Sequence, residues 1–325
     1  MQGTPIEGLL ARRYTVRDPR LSVQAFGIEF DNPVGVAAGL DKNAKAPNAL
    51  AALGFGHIEV GAVTAHPQEG NPQPRLFRLP GDRAIINRMG FNNEGASAVG
   101  QRLRALSDHR APIGINLGKS KIVPESEAPE DYRTSYEAVA DVGDYFVLNV
   151  SSPNTPGLRN LQEREALERI ITTLREEEAT PLLIKISPDL AFPAIDEVLS
   201  VVESFDLEGV IAVNTTTDRP DSLEHHHRDE SGGLSGQPLT DRAVEHVRYV
   251  AARTDKPVIG VGGIDGPEAA YRMIKNGATL IQLYTALVYQ GPSLARRINT
   301  GLLARLERDG FDSIEQARGV DIGED

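Results

Sequence analysis

The segment NVSSPNTPGLRNLQ, residues 149–162, places two serines, three asparagines and a threonine directly after the run DYFVL of residues 144–148. A serine hydroxyl is a weak base and a weak nucleophile until its surroundings activate it. The chemistry open to Ser151 or Ser152 therefore depends on which other side chains the fold brings to the end of this strand.

Polar side chains recur at the ends of other apolar, β-rich segments of the chain. They are Lys42, Asn116, Asn149, Ser152, Asn154, Lys185, Asn214, Thr215, Tyr284 and Thr285. A polar group in a buried strand position needs a hydrogen-bond partner, or it costs about 1–3 kcal/mol of desolvation. Several amides and two lysines at one level therefore predict a site for a polar ligand.

Two features at this level have competing interpretations. Lys185 lies inside the apolar segment LLIKIS, where a buried lysine is costly unless it is paired; an active role is favoured over a structural ion pair. The Gly262–Gly263 pair precedes Tyr284 and Thr285. It is either a tight turn or, as we favour, a phosphate site in which backbone N–H groups meet an anion at a short helix N-terminus.

Composition narrows the function classes. The chain has no cysteine, which excludes disulfides, iron–sulfur clusters, thiolate zinc sites and cysteine catalysis. A net charge of −12 argues against a nucleic-acid surface; adaptation to a salt-rich cytoplasm and codon bias explain this charge equally well.

No membrane-spanning run or secretory signal is present, which favours an intracellular protein. His225–His227, in a charged loop, are interpreted as solvated side chains.

Eight short apolar segments, continuous rather than alternating, are typical of strands buried on both faces. They are residues 33–39, 57–63, 112–118, 145–151, 181–187, 209–215, 257–263 and 280–286. Helical patterns fill most gaps, at residues 164–178, 191–205, 239–253 and 267–277. This alternation predicts an α/β protein with a (β/α)8 TIM barrel, and a doubly wound open sheet is the alternative.

Two further segments predict hairpins outside this repeat. Residues 21–33 alternate around Phe26–Gly27 and predict an N-terminal β-hairpin under the barrel floor. Residues 75–79 and 83–91 predict a β-hairpin inserted over the top face. Since no Gly/Ser or Pro linker is evident, we expect a short N-terminal segment, 1–20, followed by one barrel domain, 21–325.

Ten motifs in chain order resemble those of the dihydroorotate dehydrogenases, and specifically their class two, quinone-reducing branch. They include AAGLDKNA (37–44), INRMGFNNEG (86–95), GINLGKSK (114–121), NVSSPNTPGLR (149–159), KISPDL (185–190), NTTTDR (214–219) and GGLSGQPL (232–239). The resemblance implies oxidation of (S)-dihydroorotate to orotate in pyrimidine (UMP) biosynthesis, with FMN as hydride acceptor and a quinone as final electron acceptor. The related class one enzymes use a cysteine base, so the absence of cysteine favours the serine branch.

The resemblance also implies a role for individual residues. Ser152 would be the catalytic base. The residues that would bind dihydroorotate are Lys42, Asn87, Arg88, Met89, Gly90, Phe91, Asn149, Asn154, Asn214 and Thr215. Those that would border FMN are Ala38, Gly39, Lys42, Ala62, Asn116, Asn149, Lys185 and Val213, with Gly236, Gly263, Tyr284 and Thr285 at its phosphate. Ala62 and Val213 depart from the pattern, because the family usually has hydroxyl residues at these two positions.

In this chemistry Lys185 would stabilise the charge that develops on the flavin, while Lys42 and the asparagines would hold the substrate carboxylate and ring amides. Two functions from other classes remain open. One is a Schiff-base lyase or aldolase with Lys185 as nucleophile on a phosphate-binding barrel. The other is a non-catalytic barrel that binds a phosphometabolite at Gly263.

Class two enzymes carry a pair of amphipathic helices before the barrel, which form the quinone tunnel and rest on the membrane. Here residues 5–14 are a single short candidate, with Ile6, Leu9 and Leu10 on one face. A helix of this length is marginal alone. We therefore expect a monomer at the cytoplasmic side of the membrane, peripherally and weakly bound or soluble, that turns over long-chain quinones poorly.

Overall fold

A computed structural model of the chain describes residues 5–106, 108–155 and 158–323. Three sequence predictions extend past these residues: the segment 1–20, the motif 149–159 and the domain 21–325. The parts that lie outside the described residues are 1–4, Ser107, Pro156, Gly157, and 324–325.

The strands and helices follow the predicted alternation. The strands are β1 Val23–Ala25, β2 Ile28–Phe30, β3 Val34–Val36, β4 His57–Val63, β5 Leu76–Leu79, β6 Ala84–Asn87, β7 Ile113–Gly118, β8 Tyr145–Asn149, β9 Leu182–Ile186, β10 Gly209–Ala212, β11 Gly233–Gly236, β12 Val258–Val261 and β13 Leu280–Leu283. The helices are α1 Pro5–Tyr14, α2 Pro47–Ala51, α3 Ala96–Arg104, α4 Ala128–Glu137, α5 Arg164–Glu176, α6 Phe192–Ser204, α7 Thr240–Ala251, α8 Pro267–Lys275, α9 Thr285–Gln290, α10 Leu294–Asp309 and α11 Ile314–Ala317.

Eight of these strands close into a parallel barrel in the order β3, β4, β7, β8, β9, β10, β12 and β13, with β13 paired to β3. The TIM barrel is thereby confirmed, and the open sheet was the wrong alternative. All eight apolar segments contain a barrel strand, although most strands are shorter than the segment. Asn214 and Thr215, for example, follow the end of β10 at Ala212.

The helices pack on the barrel through apolar faces. In α5 the buried residues are Leu167, Ile170, Ile171 and Leu174, the i, i+3, i+4, i+7 spacing of an amphipathic helix. Each such side chain contributes roughly 1.5–3 kcal/mol when it is fully buried. The strands in turn are buried on both faces, as β8 is along its whole length.

The N-terminal hairpin is confirmed as the floor of the barrel. β1 pairs with β2 in antiparallel register, and the turn residues Phe26 and Gly27 have φ of 53° and 76°, as a tight type I′ turn requires. The Phe26 ring lies 5.9 Å from that of Tyr145, at the start of β8, and the Phe30 ring lies 5.5 Å from that of His57, at the start of β4.

The top insertion is confirmed as a hairpin but has more strands than predicted. β5 and β6 are antiparallel, and β11 adds a third strand against β6. The segment predicted to extend to Phe91 ends as a strand at Asn87. β11 was missed because its sequence GLSG has low β propensity; its glycine is needed for a close approach, since a Cβ on Gly233 would lie 2.0 Å from Thr215 Oγ1.

Candidate active site

A cavity of about 680 Å³ opens at the carboxyl ends of the barrel strands, beneath the β5–β6–β11 sheet. This is the face on which TIM barrels build their sites. Nineteen of the sequence-predicted residues line it, namely Ala38, Gly39, Lys42, Ala62, Asn87, Met89, Gly90, Phe91, Asn149, Ser152, Asn154, Lys185, Val213, Asn214, Thr215, Gly236, Gly263, Tyr284 and Thr285. The fold therefore brings side chains from all parts of the barrel to one place.

Two predicted residues, Arg88 and Asn116, are not part of the cavity wall. The Arg88 guanidinium donates to Glu230 Oε2 over 2.8 Å and lies over the Phe77 ring. Asn116 is fully buried and accepts a hydrogen bond of 2.8 Å from the side chain of Asn149. Asn116 is therefore linked to the cavity by its hydrogen bond with Asn149, whereas Arg88 stabilises the loop that contains Glu230.

The two serines after β8 have different surroundings. Ser152 lines the cavity, and its Oγ accepts from the backbone N–H of Asn154 over 3.3 Å. Ser151 is fully buried, donates through Oγ to Asn149 Oδ1 over 3.2 Å, and accepts from Asn214 Nδ2 over 3.0 Å. Of the two hydroxyls, that of Ser152 is therefore the one placed to meet a bound ligand.

Amide side chains from the end of β6 and from two loops form hydrogen bonds at the cavity wall. Asn154 Nδ2 donates to Asn87 Oδ1 over 3.3 Å, and Asn71 Nδ2 donates to the carbonyls of Arg88 and Asn154 over 3.0 and 3.1 Å. The predicted amides are thus fixed by hydrogen bonds before any ligand binds, which lowers the cost of ordering them.

The two lysines of the cavity differ in their partners. Lys42 donates to the carbonyl of Gly39, and burial, aided by the positive charge of Arg75, lowers the pKa of Lys42 to about 8. Lys185 Nζ lies 3.3 Å from Oε1 of Glu59, and both side chains are almost fully buried. Lys185 therefore combines the two interpretations of its sequence position, because it lines the cavity and also forms an ion pair.

Glycines shape the end of the cavity next to α9. Gly236 and Gly263 have φ of 100° and 69°; a Cβ would lie 2.3 Å from the carbonyl oxygen of Arg83 in the first case and 2.1 Å from Thr240 Oγ1 in the second. Neither position has room for a side chain, so the backbone itself forms the wall. A wall made of backbone can present N–H groups to an anion.

Sequence reasoning missed several wall residues. The polar ones are Arg83, Ser235, Gln237, Asp265, Gln282, Tyr289 and Gln290. Gln282, in the strand LIQL, carried the same signal that identified Lys185, a polar residue inside an apolar strand. Glu59, in the strand HIEVGAV, carried it too, although it does not line the wall. Ser235 lies on β11, which was not predicted, and the others lie on loops and helices, where polar residues are ordinary.

Within the described residues, no group of three or more His, Asp or Glu side chains is arranged to hold a metal ion. His225–His227 lie side by side, with ring centroids 4.1–5.2 Å apart, and His227 packs on Phe77. No helix in the described parts of the chain has both the length and the apolar character needed to cross a bilayer.

The sequence profile of the family described as dihydroorotate dehydrogenase matches residues 20–306. A relative from Natronomonas pharaonis named dihydroorotate dehydrogenase (quinone) is 62% identical over 322 residues, covering 99% of this chain and 92% of the relative. One of the same name from Halobacterium salinarum is 58% identical, covering 96% of this chain and 89% of the relative. The chain therefore belongs to the dihydroorotate dehydrogenase family, in its quinone-dependent class.

Solved structures agree with this assignment. The DHODH of Eimeria tenella in complex with ferulenol superposes with a TM-score of 0.90 at 37% identity, covering 97% of this chain and 93% of that one. The ligand-free form from the same organism also has a TM-score of 0.90, at 39% identity, covering 97% of each chain. These comparisons do not favour a Schiff-base lyase or a non-catalytic binding barrel.

Proposed function

We propose that the protein oxidises (S)-dihydroorotate to orotate in pyrimidine biosynthesis, with FMN as the first electron acceptor and a quinone as the second. The observation that carries the proposal is the convergence of Ser152, Lys42, Lys185 and the fixed amides on one cavity in a chain of this family. A hydroxyl base, two cations and several ring-amide partners are the groups that this oxidation requires.

The cavity fits FMN in size and in chemistry. Its volume of about 680 Å³ suits a cofactor together with a small substrate. Gly236 and Gly263, which have no room for a Cβ, would hold the phosphate through backbone groups, beside Tyr284 and Thr285. Asn149 and Lys185 would contact the ring system, while Ala62 and Val213 would border it without side-chain hydrogen bonds. When bound, FMN supplies a two-electron acceptor for the hydride that leaves C6 of dihydroorotate.

The protein's own residues would bind the substrate and move its proton. The ammonium group of Lys42 would pair with the carboxylate, and Asn87, Asn154 and Asn214 would hydrogen-bond to the ring amides. Ser152 Oγ would take the proton from C5 as the hydride leaves C6, and would pass its own hydroxyl proton to water. The loss of the proton and the hydride forms the C5–C6 double bond of orotate. Because a serine is a weak base, its efficiency would depend on fixed placement in a closed site.

The ion pair of Lys185 supports the flavin role over the lyase. A Schiff-base nucleophile needs an amine that is free to attack a carbonyl, whereas Lys185 Nζ is held 3.3 Å from the carboxylate of Glu59. A fixed ammonium group instead stabilises negative charge that develops beside it.

The visible absorption spectrum of the purified protein tests the proposal. We expect a yellow protein whose flavin band bleaches when dihydroorotate is added without oxygen and returns when a quinone is added. Orotate should form in a one-to-one ratio with bleached flavin. A colourless protein that binds no added FMN, or a flavoprotein that dihydroorotate does not bleach, would rule the proposal out.

For the acceptor side, we propose weak peripheral contact with the cytoplasmic side of the membrane through α1 by a monomeric protein. Ile6 and Leu9 of α1 are each 68% exposed, an apolar pair that could enter a lipid interface. A helix of ten residues buries little area, so we expect slow turnover of a long-tailed quinone relative to a short soluble one.

Sedimentation with liposomes tests the membrane contact. Weak binding should fall further in an Ile6→Ser/Leu9→Ser variant, and a matched Arg12→Ser variant on the same helix should retain its apolar contribution. Tight liposome binding with equal rates for the two quinones would contradict this part of the proposal. Light scattering on the soluble protein would check its monomeric state.

A further inference from the structure

Glu59 lies inside the barrel, one layer beneath the cavity. Its side chain is fully buried, and it does not line the cavity wall. A buried carboxylate is costly unless it is paired and hydrogen-bonded. Its presence at this position therefore calls for partners that compensate it.

Three donors from three other strands surround the carboxylate. Oε1 accepts from Asn116 Nδ2 over 2.7 Å and lies 3.3 Å from Lys185 Nζ. Oε2 accepts from Gln282 Nε2 over 2.6 Å. Lys185 and Gln282 both line the cavity, and Asn116 reaches it through Asn149. One carboxylate thus holds the polar floor of the cavity in place.

The negative charge of Glu59 has the opposite effect on a bound flavin to the positive charge of Lys185. An ammonium group beside a flavin favours the negative charge that reduction adds. A carboxylate 3.3 Å from that ammonium offsets part of this effect, because both charges lie in the poorly screened interior. Glu59 therefore has both the position and the charge to limit how strongly Lys185 favours reduction.

We propose that Glu59 is a positioning residue that fixes Lys185 beneath the flavin and sets the reduction potential of the bound cofactor through it. This inference rests on the proposed function, since it concerns FMN bound in this cavity. Because the charge of Glu59 offsets part of the charge of Lys185, the reduced cofactor would not be stabilised too strongly to pass its electrons to the quinone.

The substitution Glu59→Gln removes the negative charge of the side chain and nearly preserves its shape. The amide is nearly isosteric with the carboxylate but presents one N–H group where an acceptor stood. Gln282 can accommodate it, because a rotation of its side-chain amide would turn Oε1, an acceptor, toward the new donor. The network can therefore persist while the negative charge is lost.

The experiment measures the reduction potential of bound FMN in the full chain, together with the FMN dissociation constant of the apoprotein. Glu59→Gln should raise the reduction potential by about 30 mV. For a two-electron couple, this shift corresponds to about a tenfold greater preference for reduced over oxidised FMN. Lys185→Met should lower it. In the Lys185→Met background, Glu59→Gln should have little further effect, because the residue acts through Lys185.

Controls separate the possible causes. Glu307→Gln removes the same charge from the exposed face of α10 and should leave the potential unchanged. Glu59→Asp keeps the charge but shortens the reach to Lys185; if Glu59→Gln does not fold, a wild-type potential in Glu59→Asp would overturn the inference. An unchanged potential in Glu59→Gln, or an equal rise with and without Lys185, would also overturn it. Absence of FMN binding in the wild-type protein would instead defeat the proposed function.

Discussion

Ser152 Oγ accepts a hydrogen bond from the backbone N–H of Asn154 over 3.3 Å, two residues further along the chain. This bond leaves the hydroxyl hydrogen of Ser152 free to turn into the cavity. It also fixes the side chain beside the amides of the wall. The adjacent Ser151 is fully buried and is bonded to Asn149 and Asn214 instead.

The first prediction follows from this difference. Ser152→Ala should retain FMN and bind dihydroorotate but reduce the rate of flavin bleaching by about 10²–10⁴, the usual contribution of a positioned base. Anaerobic rapid mixing measures that rate directly. Ser151→Ala is the matched control; it removes two buried hydrogen bonds and should cost about 1–3 kcal/mol of stability with a much smaller loss of rate. Equal losses of rate in the two variants would contradict the role of Ser152.

Lys42 leads to a prediction about pH. Burial lowers the pKa of Lys42 to about 8, so a rise in pH through 8 removes the positive charge that would pair with the substrate carboxylate. We expect kcat/KM to fall above about pH 8, because this constant reports the pKa values of the substrate-free enzyme. The effect should appear mainly in KM, and kcat should change less.

Lys42→Arg is the test of this assignment. An arginine stays charged throughout this range, so the alkaline fall in kcat/KM should move to higher pH even if the absolute value drops. If the fall stays near pH 8 in the arginine variant, another group is responsible for it.

The glycine wall gives a prediction for the cofactor. Gly263 has φ of 69°, and a Cβ there would lie 2.1 Å from Thr240 Oγ1, so Gly263→Ala must move α7 or the wall itself. We expect at least a tenfold weaker FMN affinity, equivalent to about 1.4 kcal/mol, measured by fluorescence titration of the apoprotein. Gly266→Ala is the control three residues away, where a Cβ would meet nothing within 4 Å, and its affinity should match that of the wild type. If both variants bind FMN normally, the phosphate site lies elsewhere.

Much of the fold was predictable because its signals are local and repeated. Each barrel strand is an apolar run, and Lys185 stood out because a polar residue interrupts one of these runs. β11 could not be predicted in the same way, since its partner β6 lies about 150 residues earlier in the chain and its glycines carry no strand signal. Its contribution to the cavity depends on tertiary pairing alone.

Nineteen residues of the cavity wall were predicted from the sequence, but the hydrogen bonds that connect them were not. The sequence predicted that Asn116 and Asn149 belong to one site. It did not predict that Asn116 is hydrogen-bonded to Glu59 behind the cavity wall. Glu59 itself was passed over inside the strand HIEVGAV. Whether a polar residue in a barrel strand points into the cavity or into the layer beneath it depends on the stagger of neighbouring strands, which one strand's sequence does not specify.

The last prediction concerns acid stability and His57. The side chain is fully buried beside Phe30, neither ring nitrogen has a hydrogen-bond partner among the described residues, and burial lowers the pKa of His57 to about 3. Between its ordinary pKa, near 6.5, and 3 the unfolded chain binds a proton that the native state excludes. The free energy of unfolding should therefore fall by up to about 1.4 kcal/mol per pH unit as pH decreases through this window. In His57→Leu this contribution should vanish. The free energy of unfolding, measured with urea from pH 6.5 down to 4, should therefore fall less steeply in the variant than in the wild type, whatever the variant's stability at neutral pH.

His226→Leu is the control. It removes an exposed imidazole, and its free energy of unfolding should fall with the wild-type slope. Parallel declines in wild type and His57→Leu would show that His57 does not exclude its proton in the native state.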